Sequence, residues 1–203
     1  GPFDLEGPKN DVPRMLQLAK QLGVPEGELR VLANGGTPPA NAKAPTRAAI
    51  LAELKDLAAR SGAGDQVLVY FSGHGAQAPD MEGEEADGLD ELLLPADIGK
   101  WSSDTDMVEN AITDDEFGAA IEAIRREGAY VWVIVDSCHS GTALRGGPVA
   151  LPAGFESKGI SASALGVPAA KLAQAAAHAR AGAFEAGGAD LRPAAGRLSR
   201  YVA

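Results

Sequence analysis

Apolar residues recur at three- and four-residue spacing from Asp11 to Leu22, where Val12, Met15, Leu16, Ala19 and Leu22 share one face. That period predicts a helix, with Asn10 or Asp11 as its cap and Gly23 as its stop. Leu29 to Leu32 reads as a short strand, and Asn34 to Pro45, carrying NGGTPP, reads as a loop. Pro45-Thr46 then opens a second helix, whose Ile50, Leu51, Leu54 and Leu57 line one face until Ser61-Gly62. A third begins at Thr113-Asp114-Asp115-Glu116 and reaches about Glu127, its acidic first turn suited to the positive end of the helix dipole.

Two continuous apolar runs have strand length instead: Gln66 to Phe71 (QVLVYF) and Tyr130 to Val135 (YVWVIV). Such runs suit central parallel strands covered on both faces. Helices and strands alternate, which predicts an α/β fold with a mostly parallel central sheet, helices on both faces and right-handed crossovers. Two regions do not read as core. Residues 80–110 form an acidic, Gly-containing insertion around Leu92-Leu93-Leu94, and 146–189 form a linker rich in Ala, Gly, Pro and Ser, with one weak helix near Ala169 to Ala183.

The composition, 203 residues with 45% hydrophobic and 23% charged, is that of an ordinary globular domain. No apolar run approaches the roughly 20 residues that span a bilayer, and GPFDLEGPKND lacks the features of a signal peptide. The expectation is a cytoplasmic chain with no membrane contact, and a monomer. A single cysteine excludes an internal disulfide and a Cys-rich zinc site. The net charge of −10 is concentrated: Asp80 to Glu127 holds sixteen Asp/Glu against Lys100, Arg125 and Arg126. Phosphates would be repelled, so no nucleic-acid partner is expected; the patch fits a cationic substrate, a metal ion or a solvated loop.

The chemistry collects where the two apolar runs end. QVLVYF is followed by Ser72-Gly73-His74-Gly75, and YVWVIV by Asp136-Ser137-Cys138-His139-Ser140-Gly141. In a parallel sheet both ends lie on one edge, where such folds place their sites, so Cys138 and His74 are expected to be neighbours. A thiol with free pKa near 8.5 is only a few per cent thiolate at neutral pH, and an imidazole can take its proton and later protonate the leaving group. The amides of Gly75 and Cys138 would face a developing oxyanion. Alone, a cysteine after a strand reads as a small buried hydrophobe. His139 should point away from Cys138, His178 lies in an Ala-rich stretch, and no GxxxxGK[ST] supports a nucleotide site.

YFSGHG and DSCHSGT together resemble the caspase-like cysteine peptidases, and Asp two before the cysteine is similar to metacaspases and their bacterial relatives. Asp87-Gly88-Leu89-Asp90-Glu91, Leu94-Pro95-Ala96-Asp97 and the Asp114-Asp115-Glu116 helix start agree, so the resemblance covers roughly Asn10 to Gly146. It implies a caspase-like fold and a Cys138/His74 dyad acting on peptide bonds. It also implies an acidic pocket at positions matching Asp11, Ser72 and Asp136, hence cleavage after Arg, then Lys, of protein or peptide substrates. Asp11 read by itself is equally a helix cap.

The family's activating calcium is held by residues matching Asp90, Asp114 and Asp115, plus one seven residues after the nucleophile, where this chain has Arg145. A cation in a ligand position leads us to expect no required cofactor, with Ca²⁺ as the alternative. The three aspartates also read as a turn and a helix cap. The expected layout is a catalytic large-subunit region over 1–146, lacking its first strand, a linker over 147–190, and the start of a small-subunit region over 191–203, as in a trimmed fragment. A self-processing cysteine endopeptidase is the leading reading, and a non-proteolytic caspase-like scaffold is the alternative.

Overall fold

The structure is a computed structural model and describes residues 5–80, 85, 87–137 and 158–186. Helix α1 (Glu6–Gln21) starts earlier than its apolar period suggests. Leu5 is the residue before its first turn, and Asn10, expected as a cap, instead donates to Glu6 O at 3.1 Å from within the helix. Pro8 is tolerated in the first turn, where an amide hydrogen would have no intrahelical partner. The helix stops as expected: Gly23 has φ +80°, a conformation that costs glycine little.

The expected strand at Leu29 to Leu32 does not form. Glu26–Glu28 is a single 3₁₀ turn, and the segment then makes one isolated bridge, Leu32 with Lys43, using Lys43 N to Val31 O and Ala33 N to Lys43 O, both 3.0 Å. Four residues interrupted by Arg30, whose guanidinium turns to Glu53 at 3.5 Å, offer too little apolar surface to join a sheet.

Helix α2 (Arg47–Arg60) begins where Thr46 accepts the Ala49 amide at 3.2 Å, and α3 (Asp114–Arg126) where Thr113 accepts the Glu116 amide at 3.2 Å. Such caps are worth about 1 kcal/mol each. Arg47 ties the two helix starts together: its Nε donates to Ala111 O at 3.1 Å and its Nη2 to Glu116 at 2.5 Å, while its amide is taken by Asp97 at 2.8 Å. The aspartate of Leu94-Pro95-Ala96-Asp97 therefore closes the N-terminus of α2.

Strands β1 (Gln66–Ser72) and β7 (Tyr130–Asp136) pair in parallel, from Gln66 opposite Tyr130 to Ser72 opposite Asp136. Leu54, Ile124 and Ala129 are buried between α2, α3 and this pair, packed against Val67, Val69 and Val131. Helix α1 meets β1 from the other face through Asp11 and Ser72. Burial on both faces fails for β7. Tyr130, Trp132, Val133, Ile134 and Val135 are 40–64% exposed, because β1 is the only strand beside β7 among the described residues.

After Ser72 the chain bends through Gly73-His74 into β2 (Gly75–Pro79), the first strand of an antiparallel sheet ordered β2, β3 (Leu89–Leu93), β6 (Ile112–Thr113). A hairpin of β4 (Trp101–Ser102) and β5 (Met107–Val108) completes a mixed α/β fold. Described parts of both regions set aside as non-core contribute to a second core: Leu92, Leu94 and Val108 of the acidic stretch and Ile160, Leu165 and Val167 of the supposed linker are buried in one cluster with Ala76, Ala78 and Ala111. Small residues allow that close approach. Helix α4 (Ala169–Ala186) packs beside β2, and at Gly88 (φ +73°) any Cβ would lie 2.7 Å from Ala175 O. Among the described residues no helix is long and apolar enough to cross a membrane.

Candidate active site

The parallel register delivers two of the expected site residues directly. Ser72 and Asp136 are opposite each other at the last rung of β1 and β7, and His74 follows in the bend where the chain leaves the parallel pair. Ser72 Oγ donates to Asp11 Oδ2 at 3.1 Å, with Asp136 Oδ2 at 3.5 Å. Asp11, on the second turn of α1, is half-buried. Tyr70, two residues back on that face, has its phenol pushed above the usual range by burial, and the carboxylates of Asp11 and Asp136 add to the shift. Asp11, Ser72 and Asp136 thus come together as one acidic recess. Cys138, His139 and Arg145 lie outside the described residues.

A residue that sequence reasoning did not single out sits in that recess. Lys158 places Nζ 2.5 Å from Asp136 Oδ2, 3.0 Å from Ser72 Oγ and 3.1 Å from Asp136 O, with its side chain only 14% exposed. Its backbone is engaged as well. Lys158 O lies 2.9 Å from His74 Nδ1 and accepts the Gly75 amide at 2.9 Å. Facing a carbonyl, Nδ1 must carry a proton there. The Gly75 amide, expected to face an oxyanion, is therefore occupied by a carbonyl of the same chain. The sequence carried one signal: Lys158 is the only cation between Arg145 and Lys171.

Asp90, Asp114 and Asp115 also converge, each with a carboxylate oxygen within 4.8 Å of the others. Asp90 is on β3 and the other two open α3, so the antiparallel sheet brings them together. Asp114 Oδ1 is buried without a hydrogen-bond partner. Desolvation, then the charges of Asp80, Asp114, Asp115 and Glu85, raise the Asp90 carboxyl from 3.8 to about 7. Oxygen donors this close, one of them unpartnered, fit a hard divalent cation. An opening of about 460 Å³ between α1 and the segment 24–41 contains none of the expected site residues.

Residues 2–146 match the family described as metacaspase, peptidase C14 domain. Metacaspase-1B of Aspergillus fumigatus is 34% identical over 160 residues, covering 78% of this chain and 36% of that protein. Metacaspase-1 of Emericella nidulans is 33% identical over 141 residues, covering 69% and 32%. A solved structure of a protein from Geobacter sulfurreducens shares 34% identity over 50% of this chain and 33% of that one, with a TM-score of 0.39. The chain spans about a third of the length of the curated relatives it matches. With its match over residues 2–146, this chain belongs to the metacaspase family of C14 peptidases.

Proposed function

We propose that this chain carries the catalytic region of a cysteine endopeptidase that cuts after Arg or Lys. The observation that carries the reading is the recess itself: Asp136 and Ser72 hold a primary ammonium beside His74. A substrate ammonium or guanidinium would meet the same groups, and a guanidinium, with its planar fork, can reach the second carboxylate, Asp11, as well. In this reading Cys138 Sγ attacks the carbonyl carbon after giving its proton to His74, and the Gly75 amide steadies the oxyanion. The peptide C–N bond then breaks as His74 protonates the departing amine, and water hydrolyses the thioester.

Asp90, Asp114 and Asp115 would hold Ca²⁺ if it binds, and the ion would neutralise their mutual repulsion; no catalytic step requires it. Self-processing on the C-terminal side of Arg145 belongs to the same reading. The reaction is tested with fluorogenic Arg, Lys and Asp peptides, with Ca²⁺ and with chelator, on the parent and Cys138→Ala. Arg turnover should exceed Lys turnover, the Asp peptide should stay intact, and the variant should lose on the order of 10³-fold or more in kcat. Turnover of the Asp peptide alone, or full Arg turnover by Cys138→Ala, would overturn it.

A further inference from the structure

We propose that Lys158 is the chain's own ligand for the basic-residue pocket, bound as a substrate residue would be, and that it must leave before an outside Arg or Lys side chain can enter. The inference rests on the pocket assigned above and adds a means of regulating it.

Both ends of the residue support it. Nζ is bound by Asp136 and Ser72, and the stem passes the first turn of α1, where a Cβ on Gly7 would lie 3.7 Å from Lys158 Cε. The carbonyl accepts the Gly75 amide, the group assigned above to a substrate oxyanion, and meets Nδ1 of His74, the proposed base. An ion pair serving only to hold the fold would need the first contact and not the second. An ammonium this desolvated is costly unless paired, and the pairing is supplied by the same carboxylate that would select an incoming residue.

The attachment explains why a weak ligand suffices. Gly159 bridges Gly75, Ile160 N donates to Gly75 O at 2.8 Å, and Ile160 and Leu165 are buried in the second core. Tethered so closely, Lys158 is present at high effective concentration. Its amine is a point charge bonded directly to one carboxylate, Asp136, while Asp11 is engaged by Ser72. An arginine side chain able to fork between both carboxylates is therefore the natural displacer, and a lysine side chain is not.

The test uses butylguanidine, which has no scissile bond, and so does not depend on turnover. Titration calorimetry should show at least tenfold tighter binding to Lys158→Met than to the parent, whereas Lys158→Arg should bind no better than the parent. Equal affinity for the parent and a Lys158→Met variant that keeps the parent's circular dichroism would overturn the plug. If Lys158→Met does not fold, amine footprinting of the parent by mass spectrometry decides. Lys158 should be protected relative to exposed Lys20 and Lys55 and become reactive when butylguanidine saturates; protection unchanged at saturation would refute the proposal. Failure of every Arg and Lys peptide with both proteins would instead remove the peptidase reading and leave these binding results standing.

Discussion

Asp136 and Asp11 do different work although both are carboxylates in one recess. Asp136 bonds a cation directly, whereas Asp11 reaches it through Ser72. We expect Asp136→Asn to raise KM for Arg and Lys peptides alike by tenfold or more, with a smaller change in kcat. Asp11→Asn should mainly erase the preference for Arg over Lys, which a pair of kcat/KM measurements would show. Asp90 makes a prediction about pH. Its folded pKa is raised to about 7 from 3.8, so its favourable contribution is complete below about pH 4 and lost as pH rises towards 7 and beyond. In chelator, Asp90→Asn should therefore gain in Tm over the parent at pH 8 and gain little at pH 4.5. At this scale His74, Ser72 and Asp136 were legible because each stands within three residues of the end of an apolar run. Lys158 was not, since it reaches His74 across 84 positions of sequence and no local pattern records that contact.

At the scale of elements, α2, α3, β1 and β7 were read nearly to the residue, whereas α1 begins at Glu6 rather than Asp11 and the short run Leu29 to Leu32 makes only one isolated bridge. The Thr46 and Thr113 caps and the limits of β1 and β7 follow from local chemistry. That the second core was missed has one physical cause. The second core is assembled from small residues, Ala76, Ala78 and Ala111, against scattered Leu, Val and Ile from three separate segments, so each segment alone looks too weak to be core. Leu165, 1% exposed, shows what the supposed linker does. Leu165→Ala should cost about 2–5 kcal/mol in urea unfolding. Because Leu165 helps anchor the segment that positions Lys158, partial loosening should also increase the reactivity of Lys158 in footprinting before global unfolding begins. A variant that lost stability without exposing Lys158 would separate the core from the plug.

Among the described residues the parallel pair and the three-stranded antiparallel sheet are covered unequally. The antiparallel sheet is enclosed by the hairpin and by the segment from Ile160 to Val167, whereas β7 has β1 on one side and, among the described residues, no strand on the other. Trp132, Ile134 and Val135 on it are 52%, 41% and 40% exposed. A strand of six apolar residues and Asp136 whose second edge meets no strand among the described residues is a template for another strand. A net charge of −10 opposes association, but the sixteen acidic residues from Asp80 to Glu127 leave β7 itself with none before Asp136. Repulsion at this edge is therefore weak and screened within about 8 Å at physiological salt. The chain should be monomeric when dilute and associate as concentration or salt increases, in light scattering or sedimentation velocity. Val133→Lys places a charge on the strand without touching Asp136 and should suppress that association. Association that persisted unchanged in Val133→Lys would place the contact elsewhere on the molecule, whereas its loss would identify the outer edge of β7 as the surface that another strand is needed to cover.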